Sequence, residues 1–330
     1  MAPIEASALG VRIVIGCNQF GTRLADVDAA LELMAERNLD ELDTARGYGG
    51  GESELALGVA LERLEAKKGA EALPFVATKA APPLGYDATR LNLAQSLAAL
   101  RRKSVDLWYL HSPDASASLE ETLRAVDEAV GEGKVREWGL SNFAAWQVVE
   151  IVAHCRAHGI AQPTVYQGSY HVLQRQAEEE LLPALRAHGL RFYAYSPLAG
   201  GLLTGKHSFE TVPTEGRYDG GAASRWGERW WRKELFEAVG GLQAVCDRHG
   251  ITLAAAAIRW TVFHSALQRV YGDAVILGAS STEQLVANAE CAAGGPLPAE
   301  LVEYMDGMAS TPPVRGVVPS LGSTWMQMRL

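Results

Sequence analysis

The sequence predicts an α/β protein of the (β/α)8 type, a TIM barrel forming one domain over residues 1–330, with a long loop after strand seven and an extended carboxyl tail. Three observations point there. Short β-branched runs alternate with longer helical patterns until eight strands have been counted. The strand centres are apolar throughout, as in a parallel sheet covered on both faces. Strand ends carry polar groups, and in this fold chemistry is assembled at the carboxyl ends of the strands. A doubly wound sheet competes, but it usually has fewer strands and a glycine fingerprint in its first turn, and "GCNQFGTR" is not GxGxxG.

In chain order, "VRIVIG" is strand one and "ADVDAALELMAERN" its helix. "ELDT" is strand two, followed by "ESELALGVALERLEA"; "LPFVATK" is strand three, followed by "TRLNLAQSLAALRRK". "SVDLWYLHS" and "SLEETLRAVDEAVGEG" form the fourth unit, "KVREWGLSN" and "AAWQVVEIVAHCRAHG" the fifth, and "PTVYQ" and "AEEELLPALRAHG" the sixth. Strand seven is "LRFYAYS", after which residues 200–230 read as a long irregular segment, a loop of the length that serves as a lid or binding loop. A helix over "TLAAAAIRWTVFH", strand eight at "AVILGAS" and a helix at "STEQLVANAE" close the pattern.

Hydrophobic residues make up 48% of the chain and charged ones 21%, the balance of a globular protein. A formal charge of −9 argues against a nucleic-acid surface and for small-molecule partners. The amino-terminal stretch lacks a charged region before a long apolar run, and no run is long enough to span a membrane, so a cytoplasmic location is expected. Cys17, Cys155, Cys246 and Cys291 are scattered without a CxxC pair, which suits reduced packing thiols better than disulfides or a metal site.

The strand ends collect Asp43 with Tyr48 just beyond, Lys79, His111, Ser141 and Asn142, Gln167, Tyr195 and Ser196, and Gly278, Ala279 and Ser280. Asp43, Tyr48, Lys79 and His111 make a chemical set. A phenol with a pKa of about 10 shares its proton poorly near neutrality unless a cation lies nearby, and Lys79 can be that cation. A buried lysine needs a carboxylate to stay charged, which Asp43 supplies, and His111 can orient a carbonyl oxygen. A proton donor beside a polarised C=O is what carbonyl reduction requires. The competing structural reading makes Asp43 and Lys79 an ion pair, Tyr48 a loop anchor and His111 a satisfied strand histidine.

"LDTARGYGGGESE", "VDLWYLHSPD", "EGKVREWGLSNFAAWQVVEI", "LRFYAYSPLAGGLLTGK" and "DAVILGASSTEQLVANAE" resemble, in order and spacing, the aldo-keto reductase superfamily and its aflatoxin aldehyde reductase branch, over roughly residues 10–305. The resemblance implies NADPH as cofactor, Tyr48 as general acid, Lys79 and Asp43 as its tuners, and His111 as the group that orients the carbonyl. It assigns Ser141, Asn142 and Gln167 to the nicotinamide carboxamide and Tyr195 to stacking on the ring. Ser196, Leu198, Gly200 and Lys206 would follow the pyrophosphate. Gly278, Ser280, Ser281, Gln284 and Asn288 would hold the adenosine end, with Arg217 helping at the 2′-phosphate because no lysine–arginine pair follows strand eight. The loops after strands seven and eight are also the usual phosphate site of a barrel. Ser196 stands where the branch tends to have asparagine, and the tail from residue 310 departs from it.

The three glycines after Tyr48 tempt a phosphate-loop reading, but the lysine and hydroxyl of GxxxxGK[ST] are missing; they read as slack before the helix at Glu52 and Ser53. His154 and His158 lie four apart on an outer helix without a third ligand, so no metal is expected. Trp226, Trp230 and Trp231 offer a substrate-facing side chain or packing. Residues 217–233 carry Arg217, Arg225, Arg229, Arg232 and Lys233 against Asp219 and Glu228. Arg225 and Arg232 suit a solvated helix face, whereas the resemblance sets Trp226 and Arg229 at the substrate mouth. The expected activity is NADPH-dependent reduction of aldehydes and dicarbonyls, including semialdehydes, by a chain whose relatives are often dimers. A regulatory subunit of a membrane channel, built on a similar barrel, is the rival, but no segment here resembles a channel-docking one.

Overall fold

The structure is a computed structural model describing residues 3–5, 9–224, 227–311 and 314. Eight parallel strands close into a barrel in sequence order: β1 (Arg12–Gly16), β2 (Glu41–Asp43), β3 (Phe75–Ala80), β4 (Val105–Leu110), β5 (Val135–Ser141), β6 (Val165–Ser169), β7 (Arg191–Tyr195) and β8 (Ala274–Gly278). β8 returns to pair with β1, so no strand edge is left open. Around it lie α1 (Val27–Glu36), α2 (Glu52–Lys68), α3 (Tyr86–Ala99), α4 (Leu119–Gly131), α5 (Ala145–His158) and α6 (Leu181–Ala187), each following its strand. After β7 come a short α7 (Gly227–Trp230), then α8 (Lys233–Arg248) and α9 (Leu253–Phe263); α10 (Thr282–Ala293) and α11 (Ala299–Met308) follow β8. None of the helices among the described residues is long and apolar enough to cross a membrane.

Side chains alternate across each strand, so two hydrophobic clusters form. One fills the space between strands and helices, with Leu42, Val76, Trp108, Trp138 and Phe192 from the sheet. The other fills the barrel itself with Val14, Ala77, Leu107, Tyr109, Val165, Tyr193, Ala274 and Ile276. Counting upward by two from this inner set gives Lys79 on β3, Gln167 on β6, Tyr195 on β7 and Gly278 on β8. The polar strand ends are thus the uppermost inward layer of the barrel.

The lower layer is polar as well. Arg12 donates to Glu41 at 2.7 Å and to the Tyr193 hydroxyl, and Arg191 donates to Glu137 at 2.5 Å. Burial, only partly offset by Arg12, pushes the Glu41 carboxyl up from its usual 4.5 to about 7. Folded barrel therefore holds a proton that the unfolded chain releases, and this contribution to stability is lost as pH rises from about 4.5 to about 7. Glu41→Gln removes the cost of burying the charge. Chemical denaturation should find the variant more stable by on the order of 2 kcal/mol at pH 8, with the difference vanishing below pH 4.5. An equal gain at both pH values would assign the effect to packing.

The segment after β7 is largely irregular, as its sequence suggests. It contains short turns at Ala199–Thr204, where Gly200, Gly201 and Leu203 depart from helical geometry, and at Gly221–Ala223, besides α7. Trp230 and Trp231 are buried; Trp231 packs on Tyr218 and Phe236 with ring centroids 5.6 and 4.7 Å away. Trp231 is a packing residue, whereas Trp230, also buried, meets the His171 ring at 4.9 Å and the Arg229 guanidinium at 5.8 Å. Arg225, Trp226 and the tail at 312–313 and 315–330 lie outside the described residues.

Candidate active site

The loop from β2 to α2 delivers Tyr48. Asp43 closes β2, and Tyr48 begins a turn whose next residues, Gly49, Gly50 and Gly51, all have positive φ, at 59°, 70° and 107°. Side chains rarely adopt this conformation, so three glycines in a row turn the chain directly into α2. At Gly51 a Cβ would come within 2.4 Å of the Arg46 guanidinium, so close approach adds to the backbone requirement. The glycines are turn residues, not a phosphate cradle.

Beneath Tyr48 the buried ammonium of Lys79 donates to Asp43 Oδ1 at 2.5 Å and to the carbonyl of Thr44 at 2.7 Å. Gln167 donates its amide to Asp43 Oδ2 at 2.7 Å, so both carboxylate oxygens are occupied. Burial alone would discharge Lys79; Asp43 and Tyr48 outweigh it and the net shift of its pKa is upward. Lys79 Nζ lies 4.9 Å from the centre of the Tyr48 ring. Burial raises the pKa of Tyr48, with Lys79 pulling it down. Burial wins, which keeps the phenol protonated with the Lys79 ammonium beside it.

His111 follows β4 and meets Tyr48 edge to face, ring centroids 5.8 Å apart. Asn142 follows β5 with φ at 65°, a sparse conformation for a side-chain-bearing residue that clusters at functional sites. Its amide donates to the His111 carbonyl at 2.9 Å and to Ser141 at 3.0 Å, and its oxygen accepts from the Tyr195 hydroxyl at 2.8 Å. Ser196 also has positive φ, at 60°, and Gly200 at 69°. At the far side Ser281 caps α10 by accepting from Gln284 N at 3.3 Å, Ser280 donates to the Gln284 side chain at 2.8 Å, and Asn288 donates to the Gly278 carbonyl at 3.0 Å.

Sequence matching decides which protein family carries this constellation. A profile of the Aldo/keto reductase family matches residues 12–310. The chain belongs to the aldo/keto reductase family. It is 44% identical over 307 residues to aflatoxin B1 aldehyde reductase member 4 of Homo sapiens, covering 88% of this chain and 91% of that one. Aldo-keto reductase family 7 member A3 of Homo sapiens is 43% identical, covering 88% of this chain and 91% of its own. Aflatoxin B1 aldehyde reductase member 2 of Mus musculus is 43% identical, covering 92% and 86%. As a member of this family the chain is an oxidoreductase.

In this aldo/keto reductase Asp43, Tyr48, Lys79 and His111 come together as the strand ends suggested, and Gln167 joins them by gripping Asp43. Ser141, Asn142 and Tyr195 form one hydrogen-bonded group beside them. Ser280, Ser281, Gln284 and Asn288 form a second group on α10. Leu198 is half-buried and Lys206 exposed at the two ends of the turn after β7. Arg217 lies on the Tyr48 side, where burial lowers its pKa and the neighbouring Tyr48 and Tyr218 partly restore it. Arg229 is half-buried and close enough to Tyr195 to pull that phenol's pKa downward against burial, which holds it at about 12. Arg232 donates to the Glu228 carbonyl at 2.8 Å and remains exposed, as a solvated helix face requires.

Three contributors escaped the sequence reading. The Thr44 carbonyl holds Lys79, a role no side chain advertises. His171, fully buried against Trp230 and near Arg229, is pushed down to about 3 by burial and by that arginine, so it stays neutral. Tyr109 lies in the barrel two residues before His111, a parity that counting along β4 could have revealed. His154 and His158 stack on each other on α5, with centroids 4.1 Å apart, and no group of three metal-ligating side chains occurs among the described residues.

Proposed function

We propose that this chain reduces aldehydes and dicarbonyls, including semialdehydes, to alcohols with NADPH, Tyr48 acting as general acid. The observation that carries the reading is the buried Asp43–Lys79 pair, 2.5 Å apart, set beneath a protonated phenol that His111 faces edge-on. The relatives named aflatoxin B1 aldehyde reductases support an aldehyde substrate.

The mouth suits a nicotinamide cofactor. Gly278 is exposed at the end of β8, and a Cβ there would meet nothing nearer than the Asn18 side chain at 3.5 Å, which leaves a floor on which a flat ring can lie. Ser141, Asn142 and Gln167 are the groups we assign to the carboxamide, although in this structure the two amides donate to His111, Ser141 and Asp43, and the half-buried Tyr195 offers a stacking face. The turn after β7, with Ser196, Leu198, Gly200 and Lys206, suits the pyrophosphate, and the start of α10 suits the adenosine end. When bound, the cofactor supplies the hydride. The protein's own work is to orient the carbonyl oxygen through His111, pass it the Tyr48 proton, and stabilise the resulting phenolate with Lys79, which Asp43 keeps charged. Fluorescence titration should show tighter binding of NADPH than of NADH; equal affinities would sink the cofactor assignment.

Arg229 supports a finer reading of the substrate. A guanidinium grips a carboxylate with two parallel hydrogen bonds, so an aldehyde bearing a remote acid would be held with its carbonyl toward Tyr48 and His111. Succinic semialdehyde or 2-carboxybenzaldehyde should therefore be reduced better than an uncharged aldehyde of similar size. Arg229→Ala should cost about 1.5–3 kcal/mol in kcat/KM for the acid and little for the neutral analogue. Equal losses on both would make Arg229 a holder of the segment rather than of the ligand.

A further inference from the structure

We propose that Tyr109 is a positioning residue for the reaction, its ring holding the Lys79 ammonium in place and in its charged form from the neighbouring strand. In the sheet register Tyr109 on β4 stands directly beside Lys79 on β3. Lys79 Nζ sits 5.7 Å from the Tyr109 ring centre and 4.9 Å from that of Tyr48, so the cation lies within reach of two aromatic faces. Such faces are negative and attract a cation, most strongly where water is excluded. Water is excluded here, since Tyr109 and Lys79 are both wholly buried.

The hydroxyl of Tyr109 does not explain its presence. It is buried without a well-formed hydrogen bond among the described residues, and the Gln167 side chain beside it already gives one of its two N–H groups to Asp43. The ring, by contrast, has space made for it. Gly139 faces Tyr109 on β5, and a Cβ there would approach Tyr109 Cε1 to 2.8 Å and the Val165 carbonyl to 2.5 Å. Any side chain at 139 would push the ring off its seat beside Lys79. The ionisable groups around the pair are Asp43 and Glu41 from β2, Tyr193 from β7, Cys17 after β1 and Tyr48 itself, with Arg217 acting on Tyr48. Asp43 is the main counter-charge. The Tyr109 face adds to it without bringing a second negative charge, which would raise the pKa of Tyr48 still further.

This inference rests on Tyr48 as proton donor and Lys79 as its tuner, so Tyr48→Phe is measured alongside. The probe is the full chain carrying Tyr109→Phe, Tyr109→Leu or 3,4,5-trifluorophenylalanine at 109; the fluorinated ring keeps its shape and loses most of its negative face. Weakening the hold on the ammonium favours loss of the Lys79 proton. Relative to Tyr109→Phe, the fluorinated chain should lose about tenfold in kcat at unchanged KM, and the alkaline limb of its pH profile should move down by about one unit. Tyr109→Phe, which keeps the ring face, is the reference for the fluorinated chain, and Tyr109→Leu should move the limb the same way as fluorination. A fluorinated chain indistinguishable from Tyr109→Phe in kcat and limb position, while Tyr48→Phe is inactive, overturns the role of Tyr109 and leaves that of Tyr48 intact. An active Tyr48→Phe overturns both.

Discussion

Tyr48→Phe should lower kcat by about 10²- to 10⁴-fold while cofactor affinity is retained, the loss expected when a positioned general acid is removed. The change deletes one oxygen from a half-buried ring and keeps the edge-to-face contact with His111, at 5.8 Å between centroids, so the loop and its glycine turn have no reason to rearrange. The loss corresponds to about 3–5 kcal/mol of transition-state stabilisation. It should appear in kcat and kcat/KM together, because the proton moves only in the transition state. Single-turnover reduction of an aldehyde with enzyme in excess checks this without interference from product release. A Phe variant that reduces at near the wild-type rate would remove Tyr48 from the chemistry.

Lys79→Met should cost at least about 10²-fold in kcat, since the phenolate left by proton transfer then has no buried cation to stabilise it. Its pH signature is opposite to that expected at Tyr109, because with the lysine gone the alkaline limb reports the phenol alone rather than loss of the Lys79 proton. Lys79 is the influence pulling the Tyr48 pKa down, while burial and Asp43 push it up. Without the lysine the phenol keeps its proton to higher pH, and the alkaline limb of the profile should move up or leave the accessible range. The variant also strands Asp43, whose remaining hydrogen bond comes from Gln167, so it should be less stable by about 3–5 kcal/mol. Measuring kcat well below the variant's melting temperature separates the two effects. A limb that stays in place would show that Lys79 does not tune the phenol.

Much of this architecture could be read from the chain because parallel strands buried on both faces are written as continuous apolar runs, and each ends where a polar residue meets the barrel mouth. Asp43, Lys79, Gln167 and Tyr195 were legible for that reason. What could not be read is which polar end touches which. Gln167 reads as a ligand for a carboxamide, yet its amide is also the second clamp on Asp43, across 124 residues of sequence. Thr44 contributes a carbonyl, and every residue has one. Tyr109 hides in "LWYL", where hydrophobicity says core and only strand parity separates the barrel interior from the helix-facing side. The segment after β7 has no period in its glycines, alanines and charges, and it is largely irregular in the structure. Its order comes from long-range packing of Trp231 on Tyr218 and Phe236, and from the Tyr218 hydroxyl donating to the Ala199 carbonyl at 2.6 Å. Sequence spacing does not contain that information.

On the proposed reading, the Asp43–Lys79–Tyr48–His111 constellation delivers a proton to an aldehyde that takes its hydride from NADPH. The most direct measurement incubates the purified chain with NADPH deuterated at the transferring carbon and with succinic semialdehyde, and follows cofactor oxidation and the product by mass spectrometry. The cofactor should be oxidised in equal amount to alcohol formed, each alcohol carrying one deuterium, with neither event in Tyr48→Phe at a comparable rate. Tight NADPH binding with no oxidation by any aldehyde would contradict it and make the barrel a cofactor-binding protein rather than a reductase.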